Sequence, residues 1–185
     1  MPPKPWKLIT SRFEAAFPIF NLRIDRALSP RTKETHTFYV LESADWVNVI
    51  PVTPGGDVVL IQQYRHGLRE VTLEIPGGII EASDTPQEAA RRELREETGY
   101  EAEEMIELGC VHPNPAFLNN TCTTFLAKGV YPAGPQRQDE KEDIEVLLKP
   151  LEEIPSLIRE GRITHSLILA AFYRYYMEYL PGLGK

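Results

Sequence analysis

The chain has 185 residues and a formal net charge of −7, with 42% apolar and 25% charged residues. That length suits one core with a small appendage, and the balance of residue types excludes the disordered and fibrous classes. The acidic surplus leaves no lysine- or arginine-rich face for a phosphate backbone, so no nucleic-acid partner is expected, and a small anionic substrate would need a cation in between.

No apolar run approaches the roughly 20 residues that span a bilayer, so no membrane partner is expected. The opening "MPPKPWKLITSRFEAAF" lacks the apolar core of a signal peptide, which points to the cytoplasm. Cys110 and Cys122 are then expected as free thiols.

In chain order, 20–29 and 35–43 read as two strands around the turn-rich "PRTKE", an N-terminal β-hairpin extension. Two buried strands follow at 46–53 and 57–65, where β-branched residues run together. His66-Gly67 marks a turn before "EVTLEIPGG". A helix over 86–98 is bounded by Thr85 as N-cap, Pro86 at the first helical position, Glu88 completing a capping box and Gly99 just past the end. Strands are expected at 104–112, 121–131 and 144–150, with "PNPAFLNN" too rich in Pro and Asn to pair and "GPQRQDEKED" a charged loop. Two helices close the chain, within 151–161 and 164–180; in the last, Leu167, Ala170, Ala171, Arg174 and Tyr175 are spaced to face the sheet. This order implies a mixed sheet between helical layers, an α/β fold, with residues 1–45 as the extension and 46–185 as the main domain.

The helix over 86–98 places Glu93 and Glu97 four residues apart on one face, with Glu96 beside them, although like charges at that spacing repel. Two readings stand. The acids are a solvated face balanced by Arg91, Arg92 and Arg95, or they surround a hard cation such as magnesium, with the Gly77-Gly78 turn adding a backbone carbonyl.

The spacing Gly78, five residues, Asp84, seven residues, Arg92-Glu93-Leu94-Arg95-Glu96-Glu97-Thr98-Gly99-Tyr100 resembles the signature of the Nudix hydrolases. It departs at Asp84, where the family has Glu, and at Tyr100, where it has an aliphatic residue. The resemblance implies a Nudix α/β/α sandwich. It also implies Mg²⁺ (or Mn²⁺) held mainly by Glu93 and Glu97, Glu96 ligating an additional ion, Gly77 offering its carbonyl, and Arg92 pairing inside the motif. The flanks "LIQQYRHG" and "LEIPGG" look like the ADP-ribose and nucleoside-diphosphate-sugar pyrophosphatase branch, which implies hydrolysis to a nucleoside monophosphate and a sugar phosphate, and a homodimer built through the N-terminal strands.

In that branch a loop acid serves as general base, and "QDEKEDIEV" is the matching stretch: Glu140 is the first choice and Glu142 the second, unless these acids only solvate a connection. Glu74 and Arg65 are candidates for substrate contact, Arg65 equally for an ion pair. Phe117 and Asn119 are candidates for sugar recognition, with Phe117 otherwise a core residue, and His112 reads as a hydrogen-bonded loop residue. Trp46 and Phe13 either stack on a base or are buried. GDP-mannose or a dinucleoside polyphosphate as substrate, or a non-catalytic ADP-sugar-binding module, are the alternatives.

Overall fold

The computed structural model describes residues 2–179. The chain packs as two compact units: one runs to Ala44 and takes in His112–Thr121, and the other starts at Asp45 and resumes at Cys122.

The first unit is an antiparallel sheet of β1 (Lys7–Phe17), β2 (Phe20–Leu28) and β3 (Thr35–Glu42), in that order. Two of these strands are the expected hairpin. The third, β1, was not expected, because it is exposed at ten of its eleven positions and so carries no in-out alternation to read. The 112–121 segment also departs from expectation: Leu118 bridges Leu41 in parallel, and the Leu41 N–H donates to the Phe117 carbonyl at 2.8 Å.

The second unit holds β4 (Trp46–Val52), β5 (Asp57–Arg65), β6 (Glu70–Glu74), β7 (Gly77–Ile79), α1 (Pro86–Thr98), β8 (Tyr100–Val111), β9 (Cys122–Pro132), β10 (Ile144–Pro150), α2 (Ile154–Arg159) and α3 (Ser166–Tyr179). The sheet order is β10-β5-β4-β9-β8, with β6 added to β5 and β7 to β4. Strands β4 and β9 are parallel from Trp46↔Cys122 to Val52↔Lys128, and β4 is antiparallel to β5 and β7, so the sheet is mixed.

The period-two geometry of strands separates two apolar layers. Val47, Val49, Val59 and Phe125 pack with Ala89, Ala90 and Leu94 of α1, while Ile50, Val58, Leu60 and Leu126 pack with Ile168, Ala171 and Phe172 of α3. The result is the expected α/β/α sandwich.

Helix α1 begins and ends where the sequence predicts. The Thr85 hydroxyl accepts from the Glu88 N–H, the Glu88 carboxylate accepts from the Thr85 N–H, and Gly99 ends the helix at φ +76° with its N–H on the Arg95 carbonyl. Such a cap is worth about 1 kcal/mol. Helix α3 packs one residue out of register with the expected face. Its buried residues are Ile168, Ala171 and Phe172, while Arg174 turns aside to donate to the carbonyls of Leu108 and Cys110. Leu180, the last residue of that predicted helix, lies outside the described residues. Among the described residues no helix is long and apolar enough to cross a membrane, and both cysteines are free thiols.

Candidate active site

The acids of α1 gather where that helix meets the backbone of β7. Its apolar stripe (Ala89, Ala90, Leu94) is fully covered, and this rotation directs Glu93 and Glu97 toward Gly77 and Gly78. One Glu97 carboxylate oxygen accepts the Gly77 N–H at 2.9 Å. A Cβ at Gly78 would stand 2.4 Å from the Glu93 Oε1, so glycine here is what lets Glu93 lie against the backbone. Gly77 is the more constrained, its missing Cβ falling 2.4 Å from the Val47 carbonyl oxygen, backbone that cannot give way.

These are not ordinary surface carboxylates. Glu97 is only 4% exposed and its carboxyl is pushed up to about 8, chiefly by burial and also by the charges of Glu93 and Glu142, against the Gly77 N–H and Arg65. Burial also raises Glu93, assisted by Glu96 and Glu142. Arg92 does not reverse this although it is hydrogen-bonded to Glu93 at 2.8 Å, because its guanidinium is divided among Asp84 at 3.0 Å, Glu96 at 3.2 Å and the Ile79 carbonyl at 3.0 Å. Asp84, one carbon shorter than the usual glutamate, still reaches Arg92. The other two arginines turn away from these acids: Arg91 donates to the Ala102 carbonyl, and Arg95 to those of Gly99 and Ala133 while pairing with Glu101 at 3.2 Å. The solvated-face reading thus fails for Glu93 and Glu97 and holds in part for Glu96, whose side chain is 41% exposed.

Buried, incompletely neutralised carboxylates are the hard oxygen donors that a Mg²⁺-type ion requires, and in that chemistry the residues fit a divalent cation. Among the described residues, no three acidic, histidine or cysteine side chains already converge as a ready-made cluster, so Glu96 would have to leave Arg92 to join Glu93 and Glu97.

Arg65 and Glu74 face each other across β5 and β6. The guanidinium binds the carboxylate through two bonds, 2.8 and 2.6 Å, and the Thr72 hydroxyl donates to the same carboxylate at 2.6 Å. Burial alone would raise the Glu74 carboxyl, yet Arg65 and Thr72 hold it below the usual range, and Arg65 is raised in turn. The ion-pair alternative for Arg65 is therefore present, with its side chain still 41% exposed beside the charges of Glu97 and Glu142. His165, which the sequence did not single out, feels both partners; burial lowers its pKa, and its Nδ1 accepts from the Leu167 N–H at the start of α3.

The acidic loop between β9 and β10 separates its two candidates. Both are exposed, but the charge of Glu142 acts on Arg65, Glu93 and Glu97, and its carboxylate accepts the Asp139 N–H at 3.0 Å. Trp46 is half-buried at the start of β4. Phe117 and Asn119 belong to the other unit, where Phe117 is exposed and the Asn119 side-chain Oδ1 accepts the Ser43 N–H at 3.1 Å. Phe13 is exposed on β1.

Residues 43–172 match the family of the NUDIX domain. The chain is 32% identical over 118 residues to an ADP-ribose pyrophosphatase of Bacillus subtilis, covering 63% of this chain and 64% of that one, under two thirds of the relative's length. It is 35% identical to a methanol dehydrogenase activator of Bacillus methanolicus, covering 68% of each. It is 29% identical to an ADP-ribose pyrophosphatase of Mycobacterium tuberculosis, covering 82% of this chain and 74% of that one. A crystal structure of an ADP compounds hydrolase superposes with a TM-score of 0.84, covering 100% of this chain and 98% of that one at 20% identity, a likeness of fold.

Proposed function

The chain belongs to the Nudix family, and on that premise we propose that it hydrolyses nucleoside diphosphate sugars, ADP-ribose first, to a nucleoside monophosphate and a sugar phosphate. The observation that carries this reading is the burial of Glu97 beside Glu93 against the Gly77-Gly78 backbone, two crowded carboxyl groups whose ionised forms a cation would stabilise. The names of two relatives, both ADP-ribose pyrophosphatases, support the substrate class.

Glu93 and Glu97, joined by Glu96 and the Gly77 carbonyl, would hold the divalent ions, Mg²⁺ in the first place and Mn²⁺ in the second. When bound, such ions neutralise the charge of the diphosphate. Glu142 takes a proton from the attacking water as the water oxygen bonds to one phosphorus, and the bridging oxygen leaves with the other phosphate. Glu142 is preferred to Glu140 because its charge is among those acting on Glu93 and Glu97. Arg65 keeps Glu74 charged and presents its exposed edge to a substrate phosphate. Phe117, Asn119 and Trp46 remain proposed contacts to the sugar and base.

A homodimer and a cytoplasmic location complete the proposal. The first is supported by large apolar side chains left exposed on the first unit, among them Leu8, Phe13, Phe17 and Tyr39, and the second by the free thiols. The test is a panel of ADP-ribose, other nucleoside diphosphate sugars and dinucleoside polyphosphates, assayed for released monophosphate with Mg²⁺ and with EDTA. ADP-ribose should turn over fastest and only with the metal; binding of ADP-ribose without turnover would make the chain a sensor or scaffold instead.

A further inference from the structure

We infer that Gln136 and Gln138 are positioning residues that fix the acidic loop against the end of α1 and thereby set where the Glu142 carboxylate stands. This rests on the proposed hydrolysis and deepens it.

The segment joining β9 to β10 has no helix or strand of its own between Pro132 and Ile144. Holding each such residue in one conformation costs backbone entropy, so an untethered loop would not keep a base in place. Two side-chain amides supply the tether. The Gln136 Nε2 donates to the Glu97 carbonyl and, at 3.2 Å, to the Ile144 carbonyl. Gln138 closes on the same residue from the other side: its Nε2 donates to the Ile144 carbonyl at 2.8 Å and its Oε1 accepts the Ile144 N–H at 3.0 Å. Between them the Arg137 N–H donates to the Glu96 carbonyl at 2.8 Å.

The last carbonyls of a helix lack partners inside the helix. Here the carbonyls of Glu96 and Glu97 find them in this loop, so the residues proposed to hold metal through their side chains hold the loop through their main chain. The other end is pinned at Ile144, where β10 begins. Between these points Glu142 closes a turn on Asp139, its N–H donating to the Asp139 carbonyl and its carboxylate accepting the Asp139 N–H, both at 3.0 Å. The clamp needs an amide. A single side chain must both donate and accept at Ile144, which a carboxylate cannot do, and asparagine is one carbon shorter.

The test compares Gln138→Ala and Gln138→Asn, each alone and combined with Glu142→Gln, for kcat and KM on ADP-ribose. Exchange of the Ile144 amide is followed in metal-free protein. Each glutamine variant should lower kcat by about ten- to a hundredfold with KM nearly unchanged, as expected when a reacting group is misplaced by about 1 Å, and should speed Ile144 exchange. In the Glu142→Gln background neither should have any further effect on kcat, because the group they position is gone. An equal fold loss in both backgrounds, a normal kcat or an unchanged exchange rate overturns the inference and leaves Glu142 as base. A normal kcat for Glu142→Gln alone would remove the base, and this inference with it.

Discussion

Replacing Glu97 by glutamine should strengthen the metal-free fold at alkaline pH while abolishing turnover. Folding raises this carboxyl from 4.5 to about 8, chiefly by burial. A group that binds its proton more tightly when folded contributes stability that is complete below its unfolded pKa and is lost as pH rises through the folded one. At about 1.4 kcal/mol per unit, the loss approaches about 5 kcal/mol near pH 9, an upper figure but large against a total of about 5–15 kcal/mol. Glutamine has nearly the same shape, carries no charge at any pH, and its oxygen can still accept the Gly77 N–H that Glu97 now accepts at 2.9 Å. Urea unfolding in EDTA should therefore show wild type and variant alike near about pH 4 and the variant more stable by several kcal/mol near pH 9. Added Mg²⁺ should reverse the order, because a ligand that binds only the folded protein stabilises it and the variant has lost a ligand. Turnover of ADP-ribose should fall by at least about a hundredfold. A variant less stable than wild type near pH 9 without metal would refute the reasoning.

Glu142→Gln should lower kcat by about a hundredfold or more and Glu140→Gln only slightly, as measured at saturating Mg²⁺; equal, mild effects would remove the loop base. Arg65→Met should cost about 3 kcal/mol in urea unfolding near neutral pH, because it leaves the Glu74 carboxylate, 2% exposed, without its partner. Since Arg65 and Thr72 hold the Glu74 pKa below 4.5, that contribution is present above about pH 4.5 and fades as pH falls below it. Gly78→Ala should weaken divalent-ion binding by about ten- to a hundredfold in calorimetry, as the new methyl group displaces Glu93. In sedimentation the wild type should run at twice its 21.0 kDa chain mass and the Phe13→Asp, Tyr39→Asp double variant at the single mass; a monomeric wild type would contradict the dimer.

What could be read from the sequence depended on how local its cause was. The limits of α1 follow from Thr85, Pro86, Glu88 and Gly99, each acting on backbone within one turn, and they matched residue for residue. The limits of β5 and β10 also matched, because turn residues and an apolar run mark them within a few positions. Strand β1 is exposed along nearly its whole length, so the alternation that reveals a half-buried strand is missing. The face of α3 was misplaced by one residue because Arg174, whose spacing put it on the buried stripe, is drawn aside by the carbonyls of Leu108 and Cys110 on β8. In the site, spacing along one helix disclosed Glu93, Glu96 and Glu97. The binding of Arg65 to Glu74 spans nine residues and depends on the register of β5 on β6, and the clamp depends on a loop conformation that brings Gln138 back to Ile144 and Gln136 to the Glu97 carbonyl; residue spacing alone sets neither.

The most direct test of the acidic cleft is a Mn²⁺ titration of EDTA-stripped protein followed by electron paramagnetic resonance, with and without an α,β-methylene analogue of ADP-ribose. Wild type should show saturable sites that tighten when the analogue is present, and Glu93→Gln with Glu97→Gln should lose them. Equal Mn²⁺ binding by wild type and the double variant would place the cation elsewhere and contradict the account.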